Sequence, residues 1–319
     1  MTVERSVQFE VGQAFYRETS QLSRDFGVLA AIAQRQMLGQ LRVFDGMSGC
    51  GVRSLRYLQE ATVDFVWVNE ANPELRSLLA SNLQGVVGDR YQITHQTAQD
   101  VLHQLAIQRD YFDLIELDVF GRPLTFLPAA IQALKLGGLL YVANTDGRSL
   151  SGQQMAQSVQ QWGVVARSHP AVHEQALRIL IGVIVQQALI FGYGITPMLS
   201  HFSGQVWRVL VRLQPKPQSI PNGWLGYCHR CGEFQTVDWR SLGRVRCGCM
   251  PDAATTLSGP LWLGPLHDRT MVQTMQDLAQ TLGWQDTAGI LAIMQAESDL
   301  PPYFYTLGEI GRRGKMDIP

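Results

Sequence analysis

The stretch Asp45-Gly-Met-Ser-Gly-Cys-Gly51 decides the fold. It leaves a short apolar run, Leu41 to Asp45, and enters a helical pattern, so its glycines let the backbone approach a ligand at a helix N-terminus. Downstream, further short β-type runs stand at Phe65 to Asn69, Tyr91 to Thr94, Phe112 to Leu117 and Leu139 to Asn144. Stretches of helical period separate them. Alternation of this kind is the pattern of an α/β fold with a mostly parallel sheet. A long helix is expected from His173 to about Ile190, with Ala176, Leu177, Leu180, Ile184 and Ala188 on one face. Two apolar runs follow, Ile195 to Phe202 and Val206 to Leu213, joined by Ser203-Gly204, and their spacing predicts a β-hairpin.

A doubly wound sheet closed by an antiparallel terminal hairpin is the class I (Rossmann-like) methyltransferase architecture, whereas a dinucleotide-binding dehydrogenase continues with another parallel unit. Asp45 points the same way. A carboxylate beside the glycine turn repels a pyrophosphate and attracts the ammonium and sulfonium of S-adenosylmethionine. Gly49 and Gly51 form the approach surface. Glu70, ending the second strand, is placed to take ribose hydroxyls, a role that serves NAD equally well. Asp100, after the third strand, is placed to contact the adenine amino group. Each acid alone is an ordinary turn or N-cap residue; their coincidence after three successive strands favours a cofactor site. Cys50, inside the loop, reads as a small packing residue.

After the fourth strand stands Asp118-Val-Phe-Gly-Arg-Pro123, at the carboxyl end that borders the ligand crevice of such a sheet. Asp118 is expected to face the cofactor's reactive group, with Phe120 offering a face on which a base can stack. Methylation of an exocyclic amine suits this pair. The amine lone pair is delocalised into the ring, and an acceptor on its hydrogen favours pyramidalisation and can take the proton. Asp118 alone would be a loop cap and Phe120 alone a core residue. Thr145 and Asp146, ending the fifth strand, border the same crevice. Glu174 and Arg178 have the spacing of a helical ion pair.

Composition bounds the rest. The 319 residues, 46% hydrophobic and 17% charged, are enough for two domains and exclude disorder as the main state. The formal charge of -1 argues against a protein that coats nucleic acid with bulk positive charge. It hides an asymmetry. Residues 1–150 carry 13 basic against 16 acidic groups, while residues 201–250 carry seven basic against two acidic. A phosphate-contacting surface is expected there, with a merely solvated basic face as the plain alternative. No apolar run approaches the ~18 residues of a membrane helix, and no signal-type segment follows Met1, so the chain is expected in the cytoplasm. Gln214 to Gly223 holds three prolines and no apolar period, which places a linker at 214–223 between residues 1–213 and a smaller α+β domain at 224–319. In the latter, Cys228-x-x-Cys231 and Cys247-x-Cys249 offer four thiolates, a set suited to a structural zinc, with free thiols or a redox pair as alternatives. Arg230, Arg244 and Arg246 flank the cluster, and Arg244 and Arg246 are taken as RNA contacts.

Several blocks together resemble the tRNA guanine-N2 dimethyltransferase family: Asp45 to Tyr57, Asn69-Glu-Ala-Asn72, Asp118 to Pro123, Thr145-Asp146, His173 to Leu180, Gly259-Pro-Leu-Trp-Leu-Gly-Pro-Leu-His-Asp268, Tyr303-Phe-Tyr305 and Ser23-Arg-Asp25. The resemblance spans nearly the whole chain. It implies S-adenosylmethionine as methyl donor and transfer of one or two methyls to N2 of a guanosine at tRNA position 26, the base being extruded into the Asp118/Phe120 pocket. It further implies that Arg24 helps hold the cofactor, that Asp45 and Glu70 bind it, and that Asp118 is the catalytic carboxylate. Val119 stands where the family has proline, freeing one φ and adding an amide hydrogen. That departure leaves a non-catalytic or weakly active tRNA-binding protein as the alternative. The partners expected are tRNA, with neither DNA nor membrane, for a monomeric chain.

Overall fold

The computed structural model describes residues 1–217, 221–250 and 254–315. The chain opens with a small hairpin, β1 (Thr2–Glu4) and β2 (Val7–Phe9), and a long helix α1 (Gln21–Leu38). Alternating units follow: β3 (Arg42–Asp45), α2 (Val52–Gln59), β4 (Phe65–Asn69), α3 (Arg76–Leu83), β5 (Tyr91–Thr94), α4 (Ala98–Gln108), β6 (Phe112–Leu117), α5 (Leu127–Ala133) and β7 (Leu134–Asn144). After α6 (Gly147–Leu150), α7 (Met155–Trp162) and α8 (Val172–Ile190) come β8 (Gly194–Ser203) and β9 (Val206–Gln214).

These strands form one seven-stranded sheet in the order β5-β4-β3-β6-β7-β9-β8, parallel except for β9 and β8. The hairpin expected from Ile195 to Leu213 is therefore the antiparallel closure of a Rossmann-like methyltransferase sheet. Strand β6 is buried along its whole length, as a central parallel strand covered on both faces must be. β7 begins five residues earlier than its apolar run indicates, because Leu134 pairs with Phe112 ahead of a register shift. Neither the N-terminal hairpin nor α1 was apparent from sequence periodicity.

The remainder forms a second, antiparallel sheet ordered β11-β10-β12, from β10 (Asn222–Tyr227), β11 (Phe234–Val237) and β12 (Thr256–Trp262), followed by α9 (Arg269–Thr281), α10 (Gln285–Glu297) and α11 (Leu307–Gly314). It shares cores with the first part. Leu225, Tyr227, Phe234, Leu261 and Trp262 join the cluster around α8, while Met271, Val272, Met275 and Leu291 join the one around α1. Arg178 fastens this junction: it pairs with Glu174 at 2.8 Å and donates to the carbonyls of Trp262 and Gly264 at 3.1 and 2.7 Å. Of the expected linker, residues 218–220 lie outside the described residues. No helix among the described residues is long and apolar enough to cross a membrane.

Candidate active site

A cavity of about 760 Å³ opens at the carboxyl ends of the parallel strands, within the range of small-molecule sites. Met47, Ser48 and Gly49 after β3, Glu70 after β4, Thr97 and Ala98 after β5, Asp118 after β6 and Thr145 after β7 all line it, so successive strand ends converge on one space. The N-terminal segment from Gln13 to Arg17 supplies its outer wall.

The glycine loop is shaped as its sequence suggests. Gly51 has φ +82° at the N-cap of α2, and a Cβ there would meet Leu79 at 2.9 Å, so a side chain is excluded by both backbone and space. Glu70 is braced by amides: Oε2 accepts from Gly49 N–H and Oε1 from Asn72 N–H, both at 2.9 Å. Each oxygen keeps a lone pair for a ligand hydroxyl. Cys50 is buried in the core, as expected of a packing residue.

Asp45 is placed differently from the expectation. It is sealed at 1% exposure, does not line the cavity, and accepts the Ser54 hydroxyl at 2.6 Å. Burial, aided by the Glu116 charge, pushes its carboxyl up to about 7. The folded pKa thus exceeds the unfolded one. The corresponding stability is present in full below about pH 4 and lost as pH rises through about 7, by up to about 4 kcal/mol. Asp45→Asn is expected to remove that dependence, so in urea titrations its stability relative to wild type should rise between pH 5 and pH 8. An unchanged difference would refute the neutral carboxyl.

Asp100 also departs from its expected role. It lies exposed on the first turn of α4, outside the cavity, where the Thr97 hydroxyl donates to its carboxylate at 2.7 Å and accepts from its amide at 3.2 Å. The cap of α4 is Thr97, and Asp100 is its hydrogen-bond partner in the first turn. Thr97 and Ala98 face the cavity instead, and Ala98 N–H, in the first turn, has no helical acceptor. Arg24 lines the wall, but its guanidinium is already committed to Glu4 and to the Arg17 carbonyl, and it lies over the Tyr16 ring. It braces the N-terminal segment against the site.

Asp118 sits between two arginines. Arg53 Nη2 holds Oδ2 at 2.7 Å and Arg208 Nη2 holds Oδ1 at 2.6 Å, while the side chain remains 32% exposed toward the cavity. Burial pushes this carboxyl up, but the Arg208 and Arg53 charges and bonds outweigh it and hold it far below the usual carboxylate range. Phe120 projects outward, 73% exposed, and packs edge-on against the equally prominent Phe15, with centroids 5.0 Å apart. Thr145 fixes the loop: its hydroxyl accepts from Gly121 N–H at 2.6 Å and its amide donates to the Gly121 carbonyl at 2.9 Å. Asp146 caps α6 through Ser149 and lies 3.6 Å from Arg122, off the cavity wall.

The four cysteine Sγ atoms all lie within 4.8 Å of one another, with Cys231 and Cys247 at 3.3 Å and Cys228 and Cys249 at 3.8 Å. Tetrahedral thiolate ligands about 2.3 Å from an ion stand roughly 3.8 Å apart, so this group could hold a metal. The thiols share their protons unevenly: backbone amides of Cys231 and Arg230 lower Cys228, whereas at Cys247 side-chain bonds to Cys231 and Glu233 outweigh the Cys249 amide and push the thiol up. Arg244 and Arg246 are exposed beside the cluster, each bonded only to a carbonyl, with no acidic partner among the described residues.

Arg53, Arg208 and Phe15 were not singled out from sequence. Arg53 had a signal, since a base in the first turn of a helix opposes the macrodipole and needs a compensating acid. Arg208 had one too, as a charge inside the apolar run of β9. Because Arg208 pairs with Asp118 and Arg212 bonds Gln34, both on the main sheet, the basic count of residues 201–250 is not one surface. Its cysteine-flanking part is Arg230, Arg240, Arg244 and Arg246.

Residues 2–319 match the family described as TRM: N2,N2-dimethylguanosine tRNA methyltransferase. Among curated proteins, the tRNA (guanine(26)-N(2))-dimethyltransferase of Thermococcus kodakarensis is 29% identical over 92% of this chain and 79% of its own length. The protein of the same description from Pyrobaculum neutrophilum is 30% identical over 94% and 80% respectively. Among solved structures, the complex of Trm1 from Pyrococcus horikoshii with S-adenosyl-L-methionine superposes with a TM-score of 0.81 at 26% identity, covering 97% of this chain and 85% of that one.

Proposed function

This chain belongs to the N2,N2-dimethylguanosine tRNA methyltransferase family, and from that premise we propose that it transfers methyl groups from S-adenosylmethionine to N2 of guanosine 26 in tRNA, giving N2-methyl- and N2,N2-dimethylguanosine. The observation that carries the reading is Asp118: an ionised carboxylate at the end of β6, open to the same cavity as the glycine loop and Glu70. The cavity fits the cofactor by its donors and acceptors. Glu70 would take the ribose hydroxyls, Ala98 N–H the adenine, and the Gly49–Gly51 backbone the approach to the ligand. When bound, S-adenosylmethionine supplies the methyl group: the N2 lone pair takes its carbon, the C–S electron pair stays on sulfur, and one N2 proton leaves to water. Asp118 accepts a hydrogen bond from N2–H, which localises the lone pair on nitrogen. Phe120 and Phe15 supply aromatic faces at the mouth for an extruded guanine.

Val119 supports the catalytic reading over the binding-only one. Its side chain is buried in the core, and the Gly121–Thr145 bonds hold the loop without the ring of a proline. We assign zinc to the four cysteines as a closed, structural site, and take residues 224–319 as the RNA-docking unit, joined by 214–223 to the methyltransferase unit of residues 1–213. Arg244 and Arg246 would meet phosphates. We place the protein in the cytoplasm with its tRNA substrate, as a monomer.

Incubation with labelled cofactor and unmodified tRNA, followed by nucleoside mass spectrometry, tests the reading. Methylated guanosine at position 26 is expected. Asp118→Asn should lower kcat by about a hundredfold or more with cofactor affinity retained. Absence of methylated guanosine with the unaltered protein would overturn the function, and full activity of the variant would overturn the role of Asp118.

A further inference from the structure

The carboxylate at the reacting end is not free to rotate or to titrate, because two arginines from different parts of the sheet hold one oxygen each. Arg53 comes from the first turn of α2 and Arg208 from β9, the strand contributed by the terminal hairpin. Both guanidinium groups are about 5% exposed. Arg53 is itself held from behind: its Nη1 lies 2.6 Å from Glu116 Oε1, an ion pair off hydrogen-bond alignment, and Glu116 also accepts the Tyr57 hydroxyl. Arg208 lies over the face of Tyr141, 5.8 Å from the ring centroid. The fork therefore has a rigid base on each side.

We propose that Arg53 and Arg208 are positioning residues for methyl transfer, fixing Asp118 as an ionised hydrogen-bond acceptor whose remaining lone pairs face the base. A carboxylate offers about four acceptor positions. Each arginine occupies one on its own oxygen, and the others remain on the side open to the cavity. This rests on Asp118 being the acceptor for N2–H and adds that it keeps no proton, since a carboxylate between two positive charges binds one poorly. The N2 proton then passes to water at the mouth, and the acceptor is ready for a second methylation without resetting its protonation.

The groups around the carboxylate and its two clamps are Asp45 from β3, Arg53 and Tyr57 from α2, Glu116 from β6, Tyr141 from β7, Arg208 from β9, and His201 on β8, paired with Arg208 in the sheet. Burial and the Arg208 charge hold His201 near 4, so it carries no charge at neutral pH. Asp118 therefore stays ionised through the working range with either clamp removed, and the loss of one should appear in kcat, as misplacement of the acceptor.

The experiment uses the full-length protein with unmodified tRNA and S-adenosylmethionine, measuring kcat, KM for tRNA and cofactor affinity at pH 7.5. Arg208→Gln should lower kcat about thirtyfold to a hundredfold with cofactor affinity retained, the scale of a misplaced reacting group. Arg208→Lys should recover most of the rate. Arg53→Gln should behave alike if it folds; because Arg53 also neutralises Glu116, the deciding measurement is the pair Arg208→Gln and Asp118→Asn. If Arg208 acts through Asp118, its substitution should cost under about threefold in the Asp118→Asn background. Equal losses in both backgrounds, or no recovery by Arg208→Lys, would overturn the proposal. Those outcomes differ from failure of the functional reading, in which the unaltered protein makes no methylguanosine.

Discussion

Arg56→Met is expected to cost about 5 kcal/mol of folding stability, the upper end for one partner removed from a buried ion pair. Arg56 is fully buried and serves three carboxylates: Nε donates to Glu60 at 2.7 Å, Nη1 to Glu4 at 2.9 Å, and Nη2 lies 2.7 Å from Asp25. Its guanidinium also covers the Trp284 ring at 5.0 Å. Methionine fills the space of the stem and leaves these acids short of a cation in the interior. Arg24 and Arg5 still reach Glu4 and Asp25, so the cluster is weakened and not stripped. The cluster joins the N-terminal hairpin, α1, α2 and, through the Thr287 hydroxyl on Asp25, α10. The loss should therefore appear as one lowered cooperative transition. Arg56→Lys should rescue little, because an ammonium cannot fork among three acids. The pH dependence has a definite sign. Burial pushes Glu4 up, but the Arg24 bond and the charges of Arg24 and Arg56 prevail and hold it below 4.5. Its contribution is present above that value and lost as pH falls through the lower folded value, so the gap between variant and wild type should narrow on acidification. Urea midpoints at pH 7.5 and pH 4 check this; a loss under about 1 kcal/mol at pH 7.5 would contradict it.

The same cluster shows which features a sequence conceals. The sheet was legible because each of its strands carries its own apolar run, and the hairpin from Ile195 to Leu213 identified its closure. Glu70 and Asp118 were legible because strand ends converge in a doubly wound sheet. Asp45 and Asp100 occupy the same kind of position, yet one is sealed beneath its loop and the other lies exposed on a helix's first turn, bonded to the Thr97 cap. Strand-end location fixes the neighbourhood of a side chain, while its direction depends on partners distant in sequence: Ser54 for Asp45, and for Asp118 an arginine 90 residues away. Charge counting failed for the same reason. Arg208 and Arg230 contribute equally to composition, although one is paired with Asp118 at the strand-end cavity and the other borders the cysteine cluster.

Metal removal should divide the two ends of the proposed activity. Cys231→Ser, or exhaustive chelation of the native protein, is expected to leave cofactor binding within about twofold while weakening tRNA binding about tenfold or more, since several phosphate contacts would be lost together. The strand-end cavity is lined by Cys50 but by none of the four clustered cysteines. The thiolate turns instead set the backbone from Tyr227 to Met250, and with it Arg230, Arg240, Arg244 and Arg246. Part of that backbone has a second anchor: Arg313 on α11 donates to the Arg230 carbonyl at 2.7 Å and to the Tyr227 hydroxyl at 3.0 Å. This anchor lies on the first pair of cysteines, so disorder on metal loss should concentrate at Cys247 and Cys249 and the arginines beside them. Filter binding across a salt series distinguishes lost contacts from general unfolding. Each phosphate contact removed flattens the dependence of log affinity on log salt by about one, so the slope should fall by about two if Arg244 and Arg246 are released. Metal analysis should find one zinc per native chain and none in the variant. Native tRNA affinity and an unchanged salt slope in metal-free protein would show that the four thiols do not order this surface.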